Sequence, residues 1–262
     1  LRFEIGGVRA VMPFAQCADG AEAGTVRDIA VLTRVGRPTC FVIEGLDTDE
    51  DGAPCYRLSR AEAQRLCKAE YLDTLSPGDI LPCTVTHIEP FGAFCDIGCG
   101  AVGLLGLRNL CVSRLTHPRE LLRVGQQLPV LIQSLDPARR RVGLTLRELL
   151  GTWQQNAERF AVGETVPGIV RSIEDYGIFI ELAPNLAGLA ELKSGIKVGD
   201  CACVYIKAII PEKMKIKLII VNCCDDGCVP LEAPYFITKG HIDRWVYSTP
   251  DAPKYIVTDF SE

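Results

Sequence analysis

The chain has 262 residues, 48% of them apolar and 23% charged, with a net charge of −5. No apolar run approaches the roughly 18 residues that a membrane-spanning helix requires. Thirteen cysteines, odd in number and scattered mostly through apolar stretches, exclude a short secreted disulfide scaffold and read as reduced thiols in a cytosolic protein.

The opening LRFEIGG is already strand-like, so no signal peptide is read there, and the absence of an initial Met leads us to expect residues upstream. The acidic loop Asp47–Pro54 precedes a strand at Tyr56–Leu58. Ser59 and Glu62 then have capping-box spacing, with a helix expected over 61–75. This first unit shows neither an initial barrel strand nor an aromatic pair. A second unit follows: strands at Ile80–Ile88, Phe91–Ile97 and Ala101–Gly106, an irregular stretch over 107–123 interrupted by His117-Pro118, and two alternating strands around Leu128–Ile132 and Val142–Leu146. Five short antiparallel strands in about 70 residues fit a small closed barrel. Thr145 and Glu148 repeat the capping-box spacing and predict a helix over 146–160.

Residues 163–218 repeat this pattern. Gly163-Glu164 answers Gly78-Asp79, Tyr176-Gly177-Ile178-Phe179 answers Phe91-Gly92-Ala93-Phe94, and Val198-Gly199-Asp200 answers Val124-Gly125-Gln126. The irregular stretch shrinks to Lys193–Lys197, and the last strand, Lys213–Val221, leads into no helix. In the tail, Tyr235–Ile237 and His241–Tyr247 read as a hairpin about Lys239-Gly240, with a further strand at Lys254–Thr258. The expected division is 1–76, 77–160, 161–221 and 222–262. Charge is uneven across it: −3 over 1–77, +2 over 78–150, 0 over 151–222 and −4 over 223–262. Only the middle repeat is basic, and local field outweighs total charge in attracting nucleic acid.

Phe91 and Phe94 flank Gly92 near a strand start. Residues three apart fall on opposite faces of a regular strand, so the two rings share a face only if the turn or a bulge reorients one. They then form a platform on which bases stack. The alternative is one core Phe and one turn plug. Arg139, Arg140 and Arg141, after Asp136-Pro137, are either a solvated turn or a phosphate contact. Cys201 and Cys203 point outward if Ala202, Val204 and Ile206 face the core. With Cys223, Cys224 and Cys228 nearby they admit a metal or redox site, but no C-x-x-C is present, and thiols covered by the tail are the expectation. The three histidines (His87, His117, His241) read as surface or satisfied residues. Gly98-x-Gly100-x-x-Gly103 spells a dinucleotide fingerprint but lies between strands, so it is rejected. No nucleophile–base set, carboxylate pair or phosphate loop emerges. The reading is of a non-enzyme with no cofactor and no metal.

Taken together, Gly-Asp, Phe-Gly-Ala-Phe, Gly-x-Gly-x-x-Gly-Leu-Leu, Val-Gly-Gln and Arg-Val-x-Leu-Thr-Leu resemble the S1 RNA-binding repeat, an OB-type barrel. The resemblance is good over 78–146 and moderate over 163–221. Residues 1–65 match only the back half of a repeat, with Gly7–Pro13 resembling its third strand. It implies an all-β chain of tandem five-stranded OB-fold barrels joined by short helices. It also implies an RNA face of two second-strand aromatics, a His after the third strand, an Asp before the last strand and a basic residue opening that strand. On the middle repeat these positions are Phe91, Phe94, Gly106, Asp136 and Arg141. On the third they are Tyr176, Phe179, Glu191, Pro211 and Lys215. The middle repeat keeps four of the five and is the expected reader. The expectation is single-stranded RNA binding of low sequence selectivity, in the bacterial cytoplasm, with the ribosome or another ribonucleoprotein as partner and no membrane. The rival is a scaffold that docks on a ribosomal or polymerase protein.

Overall fold

The computed structural model describes residues 1–49, 52–136, 141–224 and 233–261. They form two compact units, Leu1–Leu75 with Ile97–Ala101, and Ser76–Asp96 with Val102–Glu262.

In the first unit, β1 (Arg2–Ile5) and β2 (Val8–Val11) form a hairpin through Gly6 and Gly7, whose φ angles of +57° and +80° suit glycine. A short helix α1 (Asp28–Leu32), then β3 (Val42–Thr48), β4 (Pro54–Ser59) and α2 (Arg60–Glu70) follow. The sheet runs β1-β2-β4-β3 and stays open. Ala10, Met12, Cys17, Val31 and Leu58 make its core. Ser59 Oγ accepts from the Glu62 amide at 2.9 Å, the expected cap. The Glu62 carboxylate pairs with Arg65, and α2 ends at Glu70 rather than Leu75.

The second unit begins with β5 (Asp79–Glu89), β6 (Gly92–Asp96), β7 (Val102–Gly106), β8 (Gln127–Asp136) and β9 (Arg141–Thr145). The order β5-β6-β7-β9-β8 closes through β5–β8 pairing, and β7–β9 is the parallel contact. Alternation sends Leu81, Cys83, Val85, Cys95, Leu105, Val130 and Leu144 inward, where all are buried. The expected helix after β9 is corrected. Thr145 remains in the strand and spends its hydroxyl on the Glu148 carboxylate, so it caps nothing. A 3-10 turn, Arg147–Leu150, stops at Gly151 (φ +81°). The genuine capping box is Thr152 with Gln155, and it starts α3 (Trp153–Ala157).

The third repeat forms β10 (Thr165–Glu174), β11 (Gly177–Ala183), β12 (Leu186–Ala190), β13 (Cys201–Ile210) and β14 (Lys215–Cys224), again a closed barrel. The chain is therefore mostly strand, with two closed five-stranded barrels of OB type. Ala202, Val204 and Ile206 are fully buried while Cys201 and Cys203 are partly exposed, as the alternation predicted. No group of metal-ligating side chains gathers among the described residues. Cys228 and the side chain of Cys224 lie outside them. No described helix is long and apolar enough to cross a membrane.

Side chains at the junction of the two barrels tie them together. The Asn185 amide accepts from the Val112 N–H and donates to the carbonyls of Arg147 and Gly151, at 2.8–2.9 Å. Arg171, on β10, reaches both Glu181 and Glu120. Glu120 belongs to the irregular stretch of the middle repeat, where it also accepts from Thr116 and the His117 N–H. Burial opposes its charge, but these donors and Arg171 hold its pKa below the ordinary value. Burial pushes Glu181 upward, with Arg171 pulling the other way.

The tail is also corrected. Lys239-Gly240 is no hairpin turn: β15 (Gly240–His241) adds to the start of β5, while β16 (Arg244–Val246) pairs with β17 (Val257–Asp259). Trp245 and Tyr247 bury in the core of the third barrel, and the Tyr247 hydroxyl donates to the Asn185 carbonyl at 2.7 Å. His241 bridges Asp79 at 2.7 Å and Asp243 at 3.2 Å. The hydrogen bond to Asp79 raises the His241 pKa from 6.5. Burial works against the Asp79 carboxylate, yet its hydrogen bonds to Ser76 and His241 leave its pKa below 3.8. A raised histidine stabilises below its unfolded pKa and loses that contribution as pH rises through the folded one; a depressed carboxylate does the reverse on acidification. Tail docking should therefore be firmest between these limits and loosen on the alkaline side. Corrected for intrinsic rates, protection of the Ile242 amide, which donates to Gly78, should fall as pH rises above the ordinary histidine pKa of about 6.5. Flat protection would sink this reading.

Candidate nucleic-acid interface

The turn between β5 and β6 solves the spacing problem posed by Phe91 and Phe94. Phe91 sits in the turn, before β6 starts at Gly92, so its direction is free of strand alternation. The rings meet edge to face, centroids 6.1 Å apart at 87°. Phe91 is 57% exposed and Phe94 is half-buried. Gly92 is required by close approach: a Cβ there would lie 2.6 Å from the Leu105 carbonyl oxygen. The third barrel repeats the device, with Tyr176 and Phe179 at 6.0 Å and 89°, and a Cβ on Gly177 2.6 Å from the Ala190 oxygen. Tyr176 is 70% exposed.

Strand register sets what lies beside each pair. In the middle barrel one row crosses the outer face: His87, Phe94, Leu104, Gly143 and Ser134. A bulge at Thr86 brings His87 opposite Phe94, and the imidazole stacks on that ring at 6.4 Å and 26°. Its Nε2 contacts Glu89 Oε1 at 2.7 Å. Sequence reasoning passed over His87 because it sought an imidazole at Gly106. Gly106 indeed supplies no side chain, and His87 offers one from the opposite flank of Phe94.

Arg141 opens β9 directly opposite Asp136, one side-chain repeat along from Gly143 and hence on the same face. It is exposed, and Asp136 is half-buried. Arg139 and Arg140 lie outside the described residues. Of the other arginines in this repeat, Arg123 is turned onto the carbonyls of Arg119 and Leu122. In the third barrel the corresponding row is Ser172, Phe179, Leu189, Lys217 and Ala208. Lys215 is exposed and pairs with Ile210, so the register counterpart of Asp136 is Ile210 rather than Pro211. Glu191 is exposed beyond the end of β12. Both faces thus combine exposed aromatics, one long apolar side chain and a cation. That arrangement can stack flat rings and pair with anions.

Residues 74–147 match the family described as S1 RNA binding domain. Over 271 residues the chain is 28% identical to the small ribosomal subunit protein bS1 of Rickettsia conorii, covering 98% of this chain and 45% of that protein. It is 28% identical to the Mycobacterium tuberculosis protein of the same name, covering 94% and 52%. For the Pseudomonas aeruginosa protein the identity is 29%, with 84% and 41% covered. The chain spans about half, or less, of the length of these curated relatives.

Proposed function

We propose, on the match of residues 74–147 to the family described as S1 RNA binding domain, that the chain binds single-stranded RNA on the outer faces of its two closed barrels. The observation that carries this reading is the aromatic pair on the outer face of each barrel, exposed Phe91 with half-buried Phe94 and exposed Tyr176 with half-buried Phe179. Unpaired bases stack on these rings, an interaction open to any base, so sequence selectivity is low. Arg141 and Lys215 meet the phosphates, with Asp136 orienting Arg141 from the facing strand. His87 completes the middle platform. The reading is of a non-enzymatic binding module acting in the cytoplasm, and the names of its relatives support the small ribosomal subunit as its setting.

Fluorescence anisotropy of a labelled, unstructured RNA titrated with the protein at several salt concentrations tests this. Micromolar or tighter binding is expected, with log affinity falling against log salt at a slope of about 0.7 per phosphate contacted. An absence of binding at low salt would overturn the reading and turn the search to protein partners.

A further inference from the structure

The two barrels carry different chemistry at equivalent places on one face. In the middle barrel the β9 position beside Leu104 is Gly143, and the facing β8 residue is Ser134. A Cβ on Gly143 would lie 2.5 Å from Ser134 Oγ, so a side chain there meets its neighbour's hydroxyl. In the third barrel the same position is Lys217 and the facing residue is Ala208, which has no Oγ. The smaller neighbour removes the obstacle, and the lysine stands in the aromatic row, two strands from Phe179.

The bulge residues differ in the same sense. Register shifts put Gln133 at the β8 bulge and Lys207 at the β13 bulge. Both are exposed, but Gln133 is neutral and accepts a hydrogen bond from Asn109 at 2.6 Å, whereas Lys207 carries a positive charge. Lys207, Lys215 and Lys217 form no ion pair among the described residues, and the outward positions of β14 (Lys215, Lys217, Ile219, Val221) include no carboxylate. Tyr205 and Ile219 face each other across the ribbon and stay 38% and 48% exposed.

We propose that the β13–β14 ribbon of the third barrel is a phosphodiester-binding track, with Lys217 as its central cation and Lys207 and Lys215 flanking it. This rests on the RNA-binding reading of the aromatic faces and extends it. Arg141 of the middle barrel answers Lys215, whereas Lys217 and Lys207 stand where the middle barrel has Gly143 and Gln133, so the third barrel holds the backbone with two further cations. Glu191, exposed one residue past β12, forms no ion pair with these lysines among the described residues.

The test compares the parent chain with Lys217→Gly, which restores the middle-barrel residue, and with Lys217→Gly plus Lys207→Gln. The ligand is an unstructured RNA of about 30 nucleotides, enough for two barrels at roughly 4–16 nucleotides each. The salt slope should become shallower by about 0.7 in the single variant and about 1.4 in the double. Unchanged slopes, alongside a loss of binding on Phe91→Ala with Phe94→Ala, would overturn the lysine track and leave the aromatic reading standing. Unchanged slopes with intact binding by the phenylalanine variant would overturn both. Thermal melting checks that the lysine substitutions, both at exposed positions, and the phenylalanine pair leave the barrels folded.

Discussion

Replacing Phe91 and Phe94 together with alanine is expected to weaken binding to unstructured RNA by at least 30-fold, on stacking contributions of about 1–3 kcal/mol per base. The magnitude follows from position. Phe91 lies in a turn and is more than half exposed, so its ring supports little of the core. Phe94 leans on His87 and Phe91 on the outer face, while its strand neighbours Ala93 and Cys95 fill the interior. The double variant should therefore melt close to the parent while losing affinity, and its salt slope should barely move, because no cation is removed. His87→Ala should give a smaller loss in the same assay. Equal affinity of the double variant and the parent would show that the rings are not the stacking platform.

Arg171→Met should destabilise the second unit by about 3–5 kcal/mol in urea unfolding, the usual consequence of leaving a buried charge unpaired. Glu181 is 2% exposed and has Arg171 as its cationic partner, and the same guanidinium serves Glu120 from the neighbouring barrel. Removing it strands two carboxylates in a space built for three charges. The deficit should shrink on acidification, because Glu181, already pushed up by burial, can then take a proton. Replacing Arg171 and Glu181 together by apolar residues should cost much less than either change alone. A loss under about 1 kcal/mol for Arg171→Met would show the triad to be incidental to stability.

The parts legible in the sequence share one property, dependence on neighbours in the chain. Alternation placed Ala202, Val204 and Ile206 inside and Cys201 and Cys203 outside. The repeat gave the barrels, and the Phe-Gly-Ala-Phe motif gave the aromatic pairs. What stayed hidden depends on register or on contacts distant in sequence. His87 joins Phe94 only because a bulge shifts β5 by one residue, and Ile210 displaces Pro211 for the same kind of reason. Lys217 occupies a position that is glycine in the better-matched repeat, so motif transfer had nothing to carry across. Thr145 and Glu148 have capping spacing and do bond, but inside a strand end, since hydroxyl and carboxylate three apart can meet without a helix. The tail misled because Gly240 looks like a turn, while its strand partner, Ile80, lies 160 residues earlier.

That last pairing has a consequence for the order of assembly. Synthesis runs from the amino end, so β5 to β9 leave the ribosome well before Gly240 and His241. At about 5–20 residues per second, the nascent middle barrel waits roughly 5–20 s for the strand that covers the start of β5. During that interval the Ile80 edge is an open template for other extended segments. Once the tail arrives, it encloses the whole third repeat within a single long loop.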